Sequence, residues 1–219
     1  MEQKELSINI DYLIDNGLVN YSDGDMVMLN IVENKRPGST VKLEMVTIAY
    51  VEQGMIRFDI NGKTVRAYAG DLVVCTPNSF IDNTVSSDEY KGTAIGLSYK
   101  AMQRSLLMSK DVWNIMAYVA KHPVVKLPAD GATLLEQYLS LLCYKLEHQH
   151  GFYHREIMQS LFHCIFYELA AIIAPQLEHG RNDAPVKQGE LLFRRFIELL
   201  SSFKTTDRSA KAYAEKLCV

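Results

Sequence analysis

The sequence predicts an α+β protein in which an antiparallel β-barrel is followed by helices. Short β-branched and apolar runs separated by turn residues fill the first hundred positions, whereas helical periodicity begins near residue 100. Two further short helices follow a polar, aperiodic stretch near the C-terminal end. We therefore divide the chain into a barrel (1–100), a helical segment (101–174), a linker (175–189) and the start of a second domain (190–219).

The barrel region carries short strands joined by tight turns. Val41 to Val51 is dense in β-branched residues, and the runs Met55 to Ile60 and Lys63 to Tyr68 flank Asn61-Gly62, a strong hairpin signal. Further strands are predicted from Leu72 to Thr76, from Phe80 to Ser86 and from Gly92 to Tyr99. Because many short antiparallel strands with turns between them close into a sandwich or barrel, we expect one here.

Helices are predicted throughout residues 101–174. The four predicted helices run from Ala101 to Met108, from Asp111 to Ala120, from Ala132 to His150 and from Glu156 to Ala174. The apolar stretch from Ile157 to Ala174 is interrupted by Gln159, His163 and Glu168, which indicates a buried helix rather than a membrane span. No membrane partner is therefore expected.

The first long helix has two apolar faces, which favours a homodimer. One face can lie on the barrel and the other on a second copy of the chain. The residues that we predict to form the dimer interface are Leu135, Leu139, Leu142 and Leu146. Packing of the two long helices within the monomer core is the alternative interpretation.

Residues 190–219 predict two amphipathic helices after the linker Pro175 to Gly189, which contains turn residues and no periodicity. The apolar stripe of the second helix consists of Ala210, Tyr213, Ala214 and Leu217. Small residues at such positions allow a later recognition helix to pack closely, as in a helix-turn-helix domain. An amphipathic surface helix is the plainer alternative.

Two stretches carry a resemblance to a known family. Tyr213-Ala-Glu-Lys-Leu217 resembles the first helix of the DNA-binding domain of AraC-type (AraC/XylS) transcriptional regulators. The order Gly54, Asn61-Gly62, Ala69-Gly70-Asp71 and Pro77 resembles the cupin barrel that forms the sensor domain of that family. The resemblance implies a bacterial regulator that senses a small-molecule effector, dimerises through helices after the barrel and binds promoter DNA.

The same resemblance implies which residues meet DNA. Arg208 and Lys211 are predicted to contact phosphates, while the base-reading helices would follow Val219 and are not in the chain. Residues 187–219 hold seven Lys or Arg against four acids, so this part is net +3 and the remainder net −6. A basic C-terminal part in an otherwise acidic chain indicates that contact with nucleic acid is confined to that part.

Metal catalysis in the barrel is not expected. Cupin enzymes hold metals through histidines after the first glycine and after the proline, whereas all six histidines of this chain lie beyond the barrel. No nucleophile has an evident base, and we predict no cofactor and no enzymatic activity. The alternative is a free-standing cupin-like enzyme or small-molecule-binding module whose C-terminal helices only pack against the rest.

An effector pocket inside the barrel is the further expectation. The aromatic and hydroxyl side chains predicted to line it are Thr47, Phe58, Tyr68, Thr76 and Tyr99. A filled barrel without a cavity is the alternative. Four cysteines without a CxxC pair and an N-terminus without an apolar signal region favour a reducing, cytoplasmic location.

Overall fold

The computed structural model describes residues 6–32, 40–98, 110–148 and 152–179, together with Lys211, Tyr213 and Ala214. The strands are β1 (Leu6–Ile8), β2 (Tyr21–Ser22), β3 (Met26–Val32), β4 (Val41–Leu43), β5 (Val46–Gln53), β6 (Met55–Ile60), β7 (Lys63–Tyr68), β8 (Asp71–Cys75), β9 (Ser79–Ser86), β10 (Lys91–Leu97) and β11 (Val124–Lys126). The helices are α1 (Ile10–Asp15), α2 (Lys110–Lys121), α3 (Ala129–Glu147) and α4 (His154–His179).

The strands form two sheets. The small sheet has the order β1-β4-β9-β6-β7, and the large sheet has the order β11-β8-β5-β10-β3-β2. Among the strands that the structure describes, every pairing is antiparallel except that of β1 with β4. Sequence analysis assigned no element to residues 6–32, yet they supply β1, α1, β2 and β3, and β3 extends the large sheet beside β10.

The hairpin of β6 and β7 follows the sequence prediction to the residue. Ile60 pairs with Lys63, and the two residues between them have positive φ, 50° at Asn61 and 78° at Gly62. Such a two-residue turn matches the right-handed twist of the strands, and asparagine and glycine tolerate this conformation best. The local sequence therefore sets the register of this hairpin.

The predicted strand from Val41 to Val51 is two strands that belong to different sheets. β4 pairs with β9 in the small sheet, and β5 pairs with β8 and β10 in the large sheet. The chain crosses between them at Glu44 and Met45, where Glu44 N–H donates to the carbonyl of Ile8. β-propensity alone does not reveal this corner, because both strands are equally apolar.

A small core lies between the sheets. Alternate residues of β5 point inward, so Ala49 and Val51 meet Phe58 of β6 and Val73 of β8. Tyr90, just before β10, is buried in the same cluster. These contacts close the two sheets into a barrel.

A larger core lies outside the barrel, between the large sheet and the helices. Val46, Ile48 and Tyr50 of β5 point outward and pack with Leu142 of α3 and Phe162 of α4. Twenty buried residues belong to this cluster, against eight in the inner core. Most of the apolar burial that stabilises the described residues therefore joins sheet to helix.

The predicted division at residue 100 is consequently not a structural boundary. β11 lies inside the predicted helical segment but pairs with β8 at the edge of the large sheet. That strand and the shared core connect the described residues of the predicted helical segment directly to the barrel. The predicted helix from Ala101 to Met108 lies outside the described residues, whereas α2 agrees with the prediction to one residue at each end.

Helix α4 extends to His179, so the linker predicted from Pro175 begins inside a helix. A proline in a helix interior removes the hydrogen bond to the preceding turn. Contacts on both sides offset that loss: Ile173 is buried in the large core, and Tyr118 of α2 donates to Gln176 Oε1 at 3.2 Å. Tertiary packing therefore carries the helix past the proline.

The same helix is long and apolar enough to cross a membrane, by length and composition alone. The stretch is His154–Leu177, with a mean hydropathy of 1.6, and a third of it is buried within the protein. A helix buried in the core of a globular domain meets the same length and composition criteria. Met158, Phe162 and Leu169 pack into the large core, as expected for such a helix.

Candidate ligand-binding sites

The barrel interior contains Thr47 and Phe58 of the predicted effector set. Phe58 is buried in the inner core. Thr47 lies on the inward face of β5, and its Oγ1 is buried without a hydrogen-bond partner among the described residues. A buried hydroxyl without a partner is the kind of group that a bound molecule or water satisfies.

The remaining predicted effector residues are not all brought to this interior. Thr76 follows β8, next to the position that pairs with Thr47, and its Oγ1 lies 3.3 Å from Ser79 Oγ. Tyr68 lies on the outer face, 49% exposed, with Lys126 Nζ 5.3 Å from its ring centroid. Its neighbour Ala67 takes the inward position, because side chains of a strand alternate. Tyr99 lies outside the described residues.

Two ionisable groups of the inner core, Cys75 and Tyr90, are held in their neutral forms. Burial raises the pKa of the Cys75 thiol to about 12, so this cysteine is not a thiolate nucleophile at neutral pH. Burial, together with the charge of Glu52, raises the pKa of Tyr90 to about 12. These two groups therefore carry no charge at physiological pH.

The predicted dimer interface points into the protein. Leu135, Leu139 and Leu142 are buried in the large core, and Leu146 packs against it. In this structure they cover the barrel, so they do not form a free surface as the sequence analysis expected. The opposite face of the same helix stays exposed and includes Leu141 and Tyr144.

An apolar cavity of about 50 Å³ lies between the large sheet and helices α2 and α4. Ile48, Leu72, Met116 and Phe166 are among its lining residues. Its volume is a small fraction of that of a typical ligand pocket, about 300–1,000 Å³. It is a packing defect between sheet and helix rather than an effector site of ordinary size.

A larger, open pocket, of about 400 Å³, lies where β2 meets the start of α4. It is lined by Asn20, Tyr21, Ser22, Asp23, His154 and Arg155. Arg155 Nη2 donates to the carbonyl of Asp23 at 3.3 Å, and Gln159 Nε2 donates to the carboxylate of Asp23 at 2.8 Å. We name this site the β2–α4 pocket.

Sequence analysis missed the β2–α4 pocket. No role was predicted there for His154 or for residues 20–23. The turn-rich polar run Asn20 to Gly24 marks a loop, but no local pattern pairs it with a helix start more than 130 residues later. Among the residues that the structure describes, no three His, Cys, Asp or Glu side chains are grouped as metal ligands.

The C-terminal part is described at three positions. Tyr213 and Ala214 are helical, with Tyr213 buried and Ala214 half-buried, and Lys211 is helical and exposed. Ala210, Leu217 and Arg208 lie outside the described residues. The DNA-binding assignment of residues 190–219 therefore stays a prediction from the sequence.

Comparison with known proteins supports the fold. The chain is similar to the AraC-like transcriptional activator CuxR, at 12% identity over 90% of this chain and 67% of that chain, with a TM-score of 0.50. It is also similar to the EutQ protein of Clostridium difficile, at 23% identity over 33% of this chain and 55% of that chain, with a TM-score of 0.26. No protein-family model and no curated protein matches the chain.

An enzyme is also among the similar structures. An oxalate decarboxylase of B. subtilis is 14% identical over 35% of this chain and 22% of that chain, with a TM-score of 0.29. At this identity and TM-score the match carries no information about the activity of this chain. The predicted α+β class, with two mainly antiparallel sheets that form a barrel followed by helices, is confirmed for the described residues.

Proposed function

We propose that this chain is the effector-sensing and dimerisation part of a DNA-binding transcriptional regulator of the AraC type. The observation that carries the proposal is the extent of the likeness to the AraC-like activator, which covers 90% of the chain and therefore includes helices as well as barrel. The Tyr213-Ala-Glu-Lys-Leu217 stretch supports it independently, from the sequence.

The packing supports a way for the two parts to communicate. The large core joins β5 to both long helices, so a ligand that alters the barrel also alters the surface against which α3 and α4 pack. In a regulator that works by presenting two DNA-binding domains to paired half-sites, such a change would alter their spacing. We place this activity in the bacterial cytoplasm, without a cofactor and without enzymatic turnover.

The homodimer proposed from the sequence needs a different surface from the predicted one. Because Leu135, Leu139 and Leu142 are internal, we propose the outward stripe of α3, with Leu141 and Tyr144, as the dimer surface. These side chains are 41% and 54% exposed, and Ile157 near the start of α4 is also exposed. Leu141 and Tyr144 lie three residues apart on one helix, and an exposed apolar pair of this kind is typical of protein interfaces.

DNA binding by the full-length protein tests the proposal. Fluorescence anisotropy with labelled promoter fragments from beside its gene should show sequence-dependent binding that weakens with salt. The Lys211→Glu variant should bind more weakly on every fragment, because a phosphate contact carries no sequence information. Lys91→Glu, an exposed lysine on the barrel, is the matched control and should bind like the wild type.

The result that contradicts the proposal is the absence of specific binding to any fragment. That result would favour the alternative, a free-standing cupin-like binding module or enzyme. Equal effects of Lys211→Glu and Lys91→Glu would also count against it, because they would show general electrostatic attraction rather than a DNA-binding end.

A further inference from the structure

Strand β7 forms a free edge of the small sheet. It is the last strand in the order of that sheet, and its six residues make it the longest of the four edge strands that the structure describes. The other edge strands, β1, β2 and β11, have two or three residues each. Because an edge strand presents backbone N–H and C=O groups that can pair with another strand, β7 offers the longest such surface.

The register of the β6–β7 hairpin shows which backbone groups of β7 face outward. The pair that closes the two-residue turn is hydrogen-bonded, and such pairs alternate along an antiparallel ladder. The N–H and C=O groups of Thr64, Arg66 and Tyr68 therefore point away from β6. Tyr68 N–H donates to Asp71 Oδ2, whereas the outward groups of Thr64 and Arg66 meet no partner in the described part of the chain.

Cations are concentrated around this edge. Strands β6, β7, β8 and β11 and the last residue of α2 carry five Lys or Arg side chains against two carboxylates, although the whole chain is net −3. The cations are Arg57, Lys63, Arg66, Lys121 and Lys126, and the carboxylates are Asp59 and Asp71. Arg57 and Arg66 lie directly opposite each other on neighbouring strands, where like charges repel. An acidic group beside them would relieve this repulsion.

The edge also has an apolar border. Val65 of β7 and Val124 of β11 are half-buried at the margin of the inner core, and β7 contacts β11. Side chains of a strand alternate between two faces. A strand added to β7 would therefore place every second side chain toward these valines and the others beside Arg66 on the outer face. Alternating apolar and acidic residues fit both sides.

The same features decide between possible occupants. A second copy of β7 would bring the Lys63 and Arg66 side chains of both copies together, and cations on an edge strand prevent such self-pairing. Nucleic-acid phosphates are acceptors only, so they would leave the free C=O groups and the apolar border unused. An extended acidic peptide uses the N–H groups, the C=O groups, the cations and the apolar border together.

We propose that β7 is a docking site for an extended, acidic segment of a partner protein, which adds a sixth strand to the small sheet. The backbone groups of Thr64 and Arg66 pair with the segment, as in other cases of strand addition. The Arg66 guanidinium meets a carboxylate on the outer face, while apolar side chains of the segment cover Val65 and Val124. This interaction does not depend on the proposed role in transcription.

Binding of a synthetic peptide to the whole chain tests the proposal. The probe is a short peptide in which glutamate and valine alternate, and the backbone amide shifts of residues 63–68 report where it binds. We expect saturable shifts that are largest at Thr64 and Arg66. A peptide with lysine in place of glutamate should bind at least about tenfold more weakly. Absence of saturable shifts with the glutamate peptide overturns the proposal.

N-methylated peptides test for backbone pairing without altering the protein. One peptide is methylated at the backbone nitrogens of its glutamates and the other at those of its valines. Because only alternate N–H groups of an added strand face its neighbour, one methylated peptide should lose binding and the other should keep it. If both bind like the unmethylated peptide, no strand is added and the proposal is wrong.

Thr64→Pro is the informative variant, because it removes an N–H that points away from the β6–β7 ladder. Proline is tolerated at such edge positions. Thr64→Val is the matched control, since both substitutions remove the hydrogen bond from Thr64 Oγ1 to Asp59 but valine keeps the backbone N–H. The dissociation constant of the glutamate peptide should rise by about tenfold in Thr64→Pro and stay near the wild-type value in Thr64→Val. Equal affinities of the two variants would contradict the proposed pairing.

A charge reversal separates a defined site from general attraction. Arg66→Glu should weaken binding of the glutamate peptide by about tenfold and strengthen binding of the lysine peptide, whereas Lys91→Glu, on β10, should do neither. Equal effects of the two substitutions would mean that overall charge attracts the peptide. If a duplex oligonucleotide shifts the amides of Thr64 and Arg66 as strongly as the peptide does, the edge is a general anion-binding surface and the proposal is wrong.

Discussion

Tyr50 Oη donates a hydrogen bond to Glu136 Oε1 at 2.6 Å, which joins strand β5 to helix α3 across 86 residues of sequence. Burial, and then the hydrogen bond to Glu136, holds the pKa of Tyr50 well above its usual value. The phenol therefore remains a donor under all physiological conditions. This contact fixes the position of α3 on the outer face of the barrel.

Tyr50→Phe should destabilise the protein while preserving its fold. The substitution keeps the ring in the large core and removes one hydrogen bond to Glu136, a carboxylate that is exposed to water, which should cost about 0.5–1.5 kcal/mol of unfolding free energy. Urea denaturation followed by circular dichroism measures the change. Tyr144→Phe, on the exposed face of the same helix, should change stability by less than about 0.5 kcal/mol. Equal losses in the two variants would contradict the assigned role.

Leu141 and Leu142 are adjacent in sequence but differ in burial. Alanine substitution should therefore lower the free energy of unfolding by different amounts at the two positions. Leu142 is fully buried in the large core, so Leu142→Ala should lower the free energy of unfolding by about 2–5 kcal/mol. Leu141→Ala removes a half-exposed side chain and should cost less than about 1 kcal/mol in the monomer. The reverse order would mean that α3 presents the other face to the barrel.

The proposed dimer surface predicts a selective effect of charge. Leu141→Glu, alone or with Tyr144→Glu, should lower the molar mass measured by light scattering at tens of micromolar, because a charge in an apolar interface is costly to desolvate. Val85→Glu is the matched control, since this exposed apolar residue lies on the small sheet, away from α3. If the wild-type chain is monomeric at these concentrations, the proposed homodimer is wrong.

Thr47 and Thr93 both lie on strands of the barrel, and substitution of each by valine compares the effect on stability of removing a hydroxyl without and with a hydrogen-bond partner. Thr47 Oγ1 has no partner, so Thr47→Val should leave the stability of the free protein unchanged or raise it by up to about 1 kcal/mol. Thr93 Oγ1 donates to Glu52, so Thr93→Val should lower it by about 1–3 kcal/mol. Differential scanning calorimetry distinguishes these outcomes. A clear loss in Thr47→Val would show that its hydroxyl is satisfied after all.

Sequence alone was sufficient where local chemistry decides the conformation. The hairpin at Asn61-Gly62 was predicted to the residue, because its turn type depends on two residues that tolerate positive φ. The two long helices were placed with errors of a few residues, since a 3.6-residue apolar period is itself a local property. The resemblance of residues 213–217 to the first helix of the AraC-type DNA-binding domain was likewise recognised from the sequence alone.

Only the tertiary structure decided which surfaces meet. Both faces of α3 are apolar, and only its contact with the large sheet shows that Leu139 and Leu142 are internal while Leu141 is not. Pro175 was predicted to end a helix, yet the packing of Ile173 and the hydrogen bond to Gln176 outweigh that local preference. At the β2–α4 pocket, Arg155 donates a hydrogen bond to the carbonyl of Asp23, 132 residues earlier in the chain. No local sequence pattern specifies such a pairing. The physical reason is that turn and helix propensities act over a few residues, whereas burial depends on the whole chain.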